Sequence, residues 1–167
     1  MRDRNNPLKN FPQHAFTIIQ ASHTDFHREL ADLPSRYPSG NITYINNHQY
    51  VPLLKIREEE LYRFNHLQIQ ALPELLSVIG YDSSSVLIIE HHLSWFQPDN
   101  AEELSGFNEI WRNRAQRGGP VVYISAIMDR WLLKLDGKAD FFIQMGKIPL
   151  RGRALALKEQ TYLDNLP

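Results

Sequence analysis

Three short apolar runs in the second half of the chain limit its fold more than any other feature. They are Val86-Leu87-Ile88-Ile89-Glu90, Val121-Val122-Tyr123-Ile124-Ser125-Ala126 and Ala139-Asp140-Phe141-Phe142-Ile143-Gln144-Met145. Each has the length of a strand and is rich in β-branched or aromatic residues. None alternates apolar with polar residues as a strand with one wet face does. A strand that is apolar on both sides must be covered on both sides, and amphipathic helical text lies between the runs to cover it. The pattern predicts an α/β fold built on a mainly parallel sheet.

The first half extends the alternation. Phe16-Thr17-Ile18-Ile19-Gln20 reads as a first strand, and Ser22 to Leu33 as a helix with Phe26, Leu30 and Leu33 on one face and Pro34 ending it. Ser39-Gly40-Asn41 turns the chain into a second strand at Ile42-Thr43-Tyr44-Ile45, and the stretch from His48 to Ile56 is ambiguous. Glu58 to Phe64 and Ile69 to Ile79 read as helices, the latter carrying a stripe of Leu72, Leu75, Leu76 and Ile79. A helix over Ala101 to Gln116 is stopped by Gly118-Gly119-Pro120, and a short one over Met128 to Leu135 precedes the last strand. About five parallel strands result, joined by right-handed crossovers with helices on both faces. Ile18, Ile45, Ile88, Val122 and Phe142 are the expected sheet core. Ligands of such open sheets sit at the carboxyl ends of the strands, here residues 20–28, 46–52, 90–97 and 125–130.

Composition narrows the class. The chain has 167 residues, 43% hydrophobic and 22% charged, which suits one globular domain. The expected organisation is an N-terminal arm over 1–13, a core over 14–146 and a tail over 147–167 with a modest basic excess from Lys147, Arg151, Arg153 and Lys158. A net charge of -1 gives no global attraction to nucleic acid. There are no cysteines, so disulfides, thiolate metal sites and a cysteine nucleophile are excluded. A polar N-terminus and the lack of any membrane-length apolar run lead to the expectation of a cytoplasmic protein with no membrane partner.

The spacing of these elements resembles the core of the RecA/RadA recombinase superfamily, including its KaiC-like and recombinase-paralogue branches, over residues 14–146. Val86 to Phe96 is similar to the family's strand ending in an acid with a polar, aromatic stretch after it. Val121 to Ser125 and Ala139 to Met145 match the two strands that follow. The resemblance implies a three-layer sandwich. It also implies a metal-binding or water-activating role for Glu90 and a polar sensor at Ser125. One departure is large. The family's phosphate loop, G-x-x-x-x-G-K-[ST], wraps phosphates in glycine N–H groups, meets their charge with lysine and holds magnesium by a hydroxyl. The corresponding stretch here is Ala21-Ser22-His23-Thr24-Asp25-Phe26-His27-Arg28, with none of the four defining residues, and Asp25 would repel a phosphate. No ATP binding of the usual kind, and no cofactor, is expected.

Other residues carry candidate chemistry. His23 and His27 are four apart, so on a helix they share a face and suit one metal. Asp25, Glu90 and His91 lie at tips of the same sheet edge. The five together suggest a metal-dependent hydrolase or nuclease, against the plainer reading of capping and surface side chains. Arg112, Arg114 and Arg117 close a helix; they suit the negative end of its dipole or DNA phosphates. Trp95 and Phe96, after a strand tip, and Phe11 in the arm are candidate interface anchors; the alternative is that they fold back onto the core. Three functions compete. The first is a catalytically silent RecA-like binding module in recombination or repair, with itself, a RecA-fold protein or DNA as partner. The others are the metal-dependent hydrolase and a divergent ATPase.

Overall fold

The computed structural model describes residues 11–48, 56–96 and 103–145. Most of the expected N-terminal arm, the basic tail and the greater part of the ambiguous stretch lie outside them. Among the described residues six strands form one sheet: β1 (Phe16–Gln20), β2 (Ile42–Asn46), β3 (Phe64–Gln68), β4 (Val86–Glu90), β5 (Val121–Ser125) and β6 (Phe141–Gln144). All pairings are parallel, in the order β3-β2-β4-β5-β1-β6. Ile88 stands opposite Val122 and Ile18 opposite Tyr123, so the acidic strand and the next apolar run are neighbours as the resemblance implies. The helices are α1 (His23–Arg36), α2 (Leu72–Tyr81), α3 (Glu103–Gly118) and α4 (Arg130–Asp136).

Strand alternation divides the core into two layers. Phe16, Ile18, Ile45, Leu87, Ile89, Val121 and Tyr123 face α2, α3 and α4, where Trp95, Phe96, Phe107, Trp111 and Trp131 complete an aromatic-rich cluster. Ile19, Ile42, Tyr44, Val86, Ile88, Val122 and Ile124 face α1 and meet Phe11, Phe26, Leu30 and Leu33. Helices thus cover both faces, as a parallel sheet requires.

Three expectations are corrected. The sheet among the described residues has six strands rather than about five: the helix expected over Glu58 to Phe64 is a 3₁₀ segment over Glu58–Arg63, and Phe64 joins the unassigned residues after it in an edge strand, Phe64–Gln68. α1 runs through Pro34 to Arg36, since the proline ring is itself buried. Phe142 is only half-buried because β6 is an edge, whereas Ile18, Ile45, Ile88 and Val122 are fully buried. The stop after α3 is enforced at Gly119, whose φ of 118° brings it so close to Ser85 that a Cβ would lie 2.4 Å from the Ser85 carbonyl oxygen.

Candidate functional site

β1 ends at Gln20 and α1 begins at His23, so two residues, Ala21 and Ser22, make the whole connection. Ser22 is the N-cap: its Oγ accepts from the Asp25 amide at 3.1 Å. The Asp25 carboxylate turns back on the same helix end, accepting from Ser22 Oγ at 2.8 Å and from Arg28 at 3.3 Å. That capping sets the phase of the first helical turns and carries His23 and His27 to the tip of β4. Their donor atoms and a Glu90 carboxylate oxygen all lie within 4.8 Å of one another. His23 Nδ1 is 3.0 Å from Glu90 Oε1. Glu90 is buried, and its other oxygen accepts a hydrogen bond from the Tyr44 hydroxyl.

Tyr44 extends this arrangement across the neighbouring strand tips. Asn46 Nδ2 donates to the Tyr44 hydroxyl at 3.4 Å, and His66 Nε2 donates to Asn46 Oδ1 at 2.9 Å. Burial, then the charge of Glu90 and the hydrogen bond to it, push the Tyr44 phenol far above its ordinary range, so it stays protonated and donates. Partial burial lowers the His66 imidazole below its ordinary value and favours the neutral ring.

His91 goes elsewhere. One residue beyond Glu90, it points to the opposite face of the sheet, as strand alternation requires. There Nε2 lies 2.8 Å from Asp129 Oδ2 and Nδ1 lies 2.6 Å from the Tyr123 hydroxyl. A carboxylate only accepts, so Nε2 carries the proton and, in the neutral ring, Nδ1 accepts from Tyr123. Burial, then the charge of Asp129, raises the Tyr123 phenol well above its usual value. Asp129 also caps α4, its Oδ1 accepting from the Trp131 and Leu132 amides.

Of the five candidate metal ligands, His23, His27 and Glu90 converge, while His91 and Asp25 are engaged elsewhere. Ser125 Oγ is taken up in its own turn, donating to the Ile127 carbonyl at 2.6 Å and accepting from the Ile127 amide at 3.2 Å. The expected interface anchors are corrected: Trp95, Phe96 and Phe11 are 0%, 4% and 3% exposed. A 3₁₀ turn at Leu93–Trp95 folds the first two onto the α3 side, where Trp95 Nε1 donates to the Ile69 carbonyl at 3.0 Å. Arg114 is also corrected, being fully buried and paired with Asp82. Arg112 and Arg117 are exposed, each donating to backbone carbonyls, of Lys138 and of Gly80 and Asn113 respectively. Sequence reasoning passed over Tyr44, Asn46 and Asp129. Asp129 had a signal, standing in front of a helix, whereas Tyr44 and Asn46 are polar-tipped residues of an apolar strand whose meeting with Glu90 follows from the pairing of β2 with β4.

No protein-family model matches the chain, and no curated protein does. Among solved structures, the crystal structure of the RadB recombinase is similar, with a TM-score of 0.60, 15% identity, and 84% of this chain and 78% of that chain covered. At that identity the likeness is one of fold, and the chain has a RecA-like α/β fold. Among the described residues, no helix is long and apolar enough to cross a membrane.

Proposed function

We propose that this chain is a RecA-like domain that acts by binding, an accessory module in DNA recombination or repair that works with a second copy of itself or with another RecA-fold protein and does not hydrolyse ATP. The observation that carries the reading is the two-residue connection from β1 to α1. A phosphate loop needs enough backbone between strand and helix to wrap a phosphate in N–H groups. Ala21 and Ser22 leave no room for such a nest, and Ser22 is already the helix cap. No lysine stands at the start of α1, and Asp25 there repels polyphosphate. The likeness in fold to a recombinase supports recombination or repair as the setting. DNA contact is a lesser part of the reading, since of the three candidate arginines Arg114 is sealed in the core and Arg112 and Arg117 face solvent. The hydrolase alternative loses His91 and Asp25 from its ligand set.

Calorimetry with ATP–Mg²⁺ tests the negative half of the proposal, and the expected outcome is no saturable heat. Micromolar affinity would favour the divergent ATPase instead. The positive half is tested by mass in solution, alone and with a RecA-fold recombinase. A strict monomer that captures neither partner nor single-stranded DNA would overturn it.

A further inference from the structure

Four carboxylates among the described residues have side chains of which 10% or less is exposed, and three of them are neutralised by arginine. Glu29 is 2.7 Å from Arg36, Glu60 is 2.7 Å from Arg57, and Asp82 is 2.6 Å from Arg114. Glu90, 8% exposed, is different: among the described residues no lysine or arginine pairs with it, and its partners are the Tyr44 hydroxyl and His23. A carboxylate taken out of water needs a charge partner or strong hydrogen bonds, and a histidine 62% exposed is a weak one. A second imidazole, His27, stands one turn further along α1, within 4.8 Å of the same carboxylate. Glu90 is thus a buried carboxylate with two imidazoles beside it and, among the described residues, no lysine or arginine to balance its charge.

We propose that His23, His27 and Glu90 form a binding site for a divalent transition-metal ion of the zinc class, with a fourth position open to water or an anionic ligand. Donor chemistry selects the ion. Two nitrogens and one oxygen suit Zn²⁺, whereas Mg²⁺ and Ca²⁺ demand oxygen ligands. Spacing supplies the geometry, because residues four apart on a helix present their rings side by side. Tetrahedral zinc with bonds of about 2.0–2.1 Å keeps its ligand atoms roughly 3.4 Å apart. His23 Nδ1 and Glu90 Oε1 are already 3.0 Å apart, and side-chain rotation brings the remaining donor inward. Tyr44 supplies the outer hydrogen bond that fixes a metal-binding carboxylate, backed by Asn46 and His66. The positive end of the α1 dipole opposes a cation, but that effect is small beside three coordinate bonds. The exposed side at His23 leaves one coordination position facing solvent. The site stands whether or not the domain is an accessory module.

The test is equilibrium dialysis of the full chain against ZnCl₂, with the visible spectrum of the Co²⁺ form as a report of the ligand set. One Zn²⁺ per chain is expected, with a rise in melting temperature and Co²⁺ bands of four- or five-coordinate intensity. His27→Ala and Glu90→Gln each lower the affinity at least about ten-fold, Tyr44→Phe does so by about ten-fold, and the His23→Ala/His27→Ala double variant abolishes binding. Glu90 and Tyr44 are buried and their variants risk misfolding, so the double histidine variant, checked for native melting without metal, decides the matter. No saturable Zn²⁺ binding, the same affinity in the double variant, or equal affinity for Mg²⁺ would overturn the proposal.

Discussion

Asp129 holds two structures together with one carboxylate. Oδ1 receives the first amides of α4, and Oδ2 receives the imidazole of His91. Burial works against its charge, but the hydrogen bond from His91 and those from the helix amides outweigh it and hold the carboxyl below its ordinary 3.8. A group whose folded pKa is depressed stabilises the fold fully above its unfolded pKa, and that contribution is lost as pH falls through the folded one. Asparagine keeps a capping oxygen but carries no charge. Asp129→Asn should therefore cost about 1 kcal/mol at neutral pH, a little under the usual range for a hydrogen bond to a charged group because this one is partly screened. The gap between variant and parent should then shrink below about pH 4. Urea denaturation of both proteins across the acid range checks this; a gap that stays constant to the lowest pH would show that the charge of Asp129 contributes nothing.

Elements were legible where burial dictated their residues. The apolar runs at Val86 and Val121 became adjacent central strands, because only a strand with apolar residues on both faces satisfies both layers. β3 was not legible: Phe64-Asn65-His66-Leu67-Gln68 is mostly polar and half-buried, and pairing with β2, not its own pattern, makes it a strand. Pro34 misled in another way, since a stop signal read locally is overridden when the ring packs in the core. The site was half-readable. The spacing of His23 and His27 and the acid ending β4 were plain, and alternation along the strand already implied that Glu90 and His91 face apart. Tyr44 needed the pairing of β2 with β4, which no spacing reveals. The aromatics after β4 show the same limit, because sequence gives their apolarity but not the direction of the turn that carries them. Trp95→Ala should cost about 3–5 kcal/mol, as for other fully buried tryptophans, and Trp95→Phe about 1–3 kcal/mol because it strands the Ile69 carbonyl. Denaturation midpoints measure both, and a neutral Trp95→Ala would return this residue to the surface.

The two ends of the sheet are built for different ends. At the amino end of β4, Arg114 runs through the core to Asp82, donating from Nε at 2.9 Å and Nη2 at 2.6 Å, with a further bond to the Ser84 carbonyl. Its guanidinium fills the space over Gly118, where a Cβ would lie 2.4 Å from Nη1. The charge of Asp82 is met there by a guanidinium that is fully buried. At the carboxyl end, polar groups gather on both faces, His23, His27, Glu90 and Tyr44 on one and His91, Tyr123 and Asp129 on the other. Parallel sheets place their ligands at this end because successive crossovers leave the strand tips open. Stability and function should separate accordingly. Arg114→Met leaves Asp82 buried without its partner and should cost about 3–5 kcal/mol. His23→Ala removes a mostly exposed ring whose one close partner, Glu90, keeps its bond to Tyr44, so it should stay within about 0.5 kcal/mol of the parent. Chemical denaturation of the two variants without added metal reads the contrast directly. If His23→Ala destabilised the fold as much as Arg114→Met, the carboxyl end would be as much a part of the scaffold as the amino end, and the binding reading of its side chains would lose its footing.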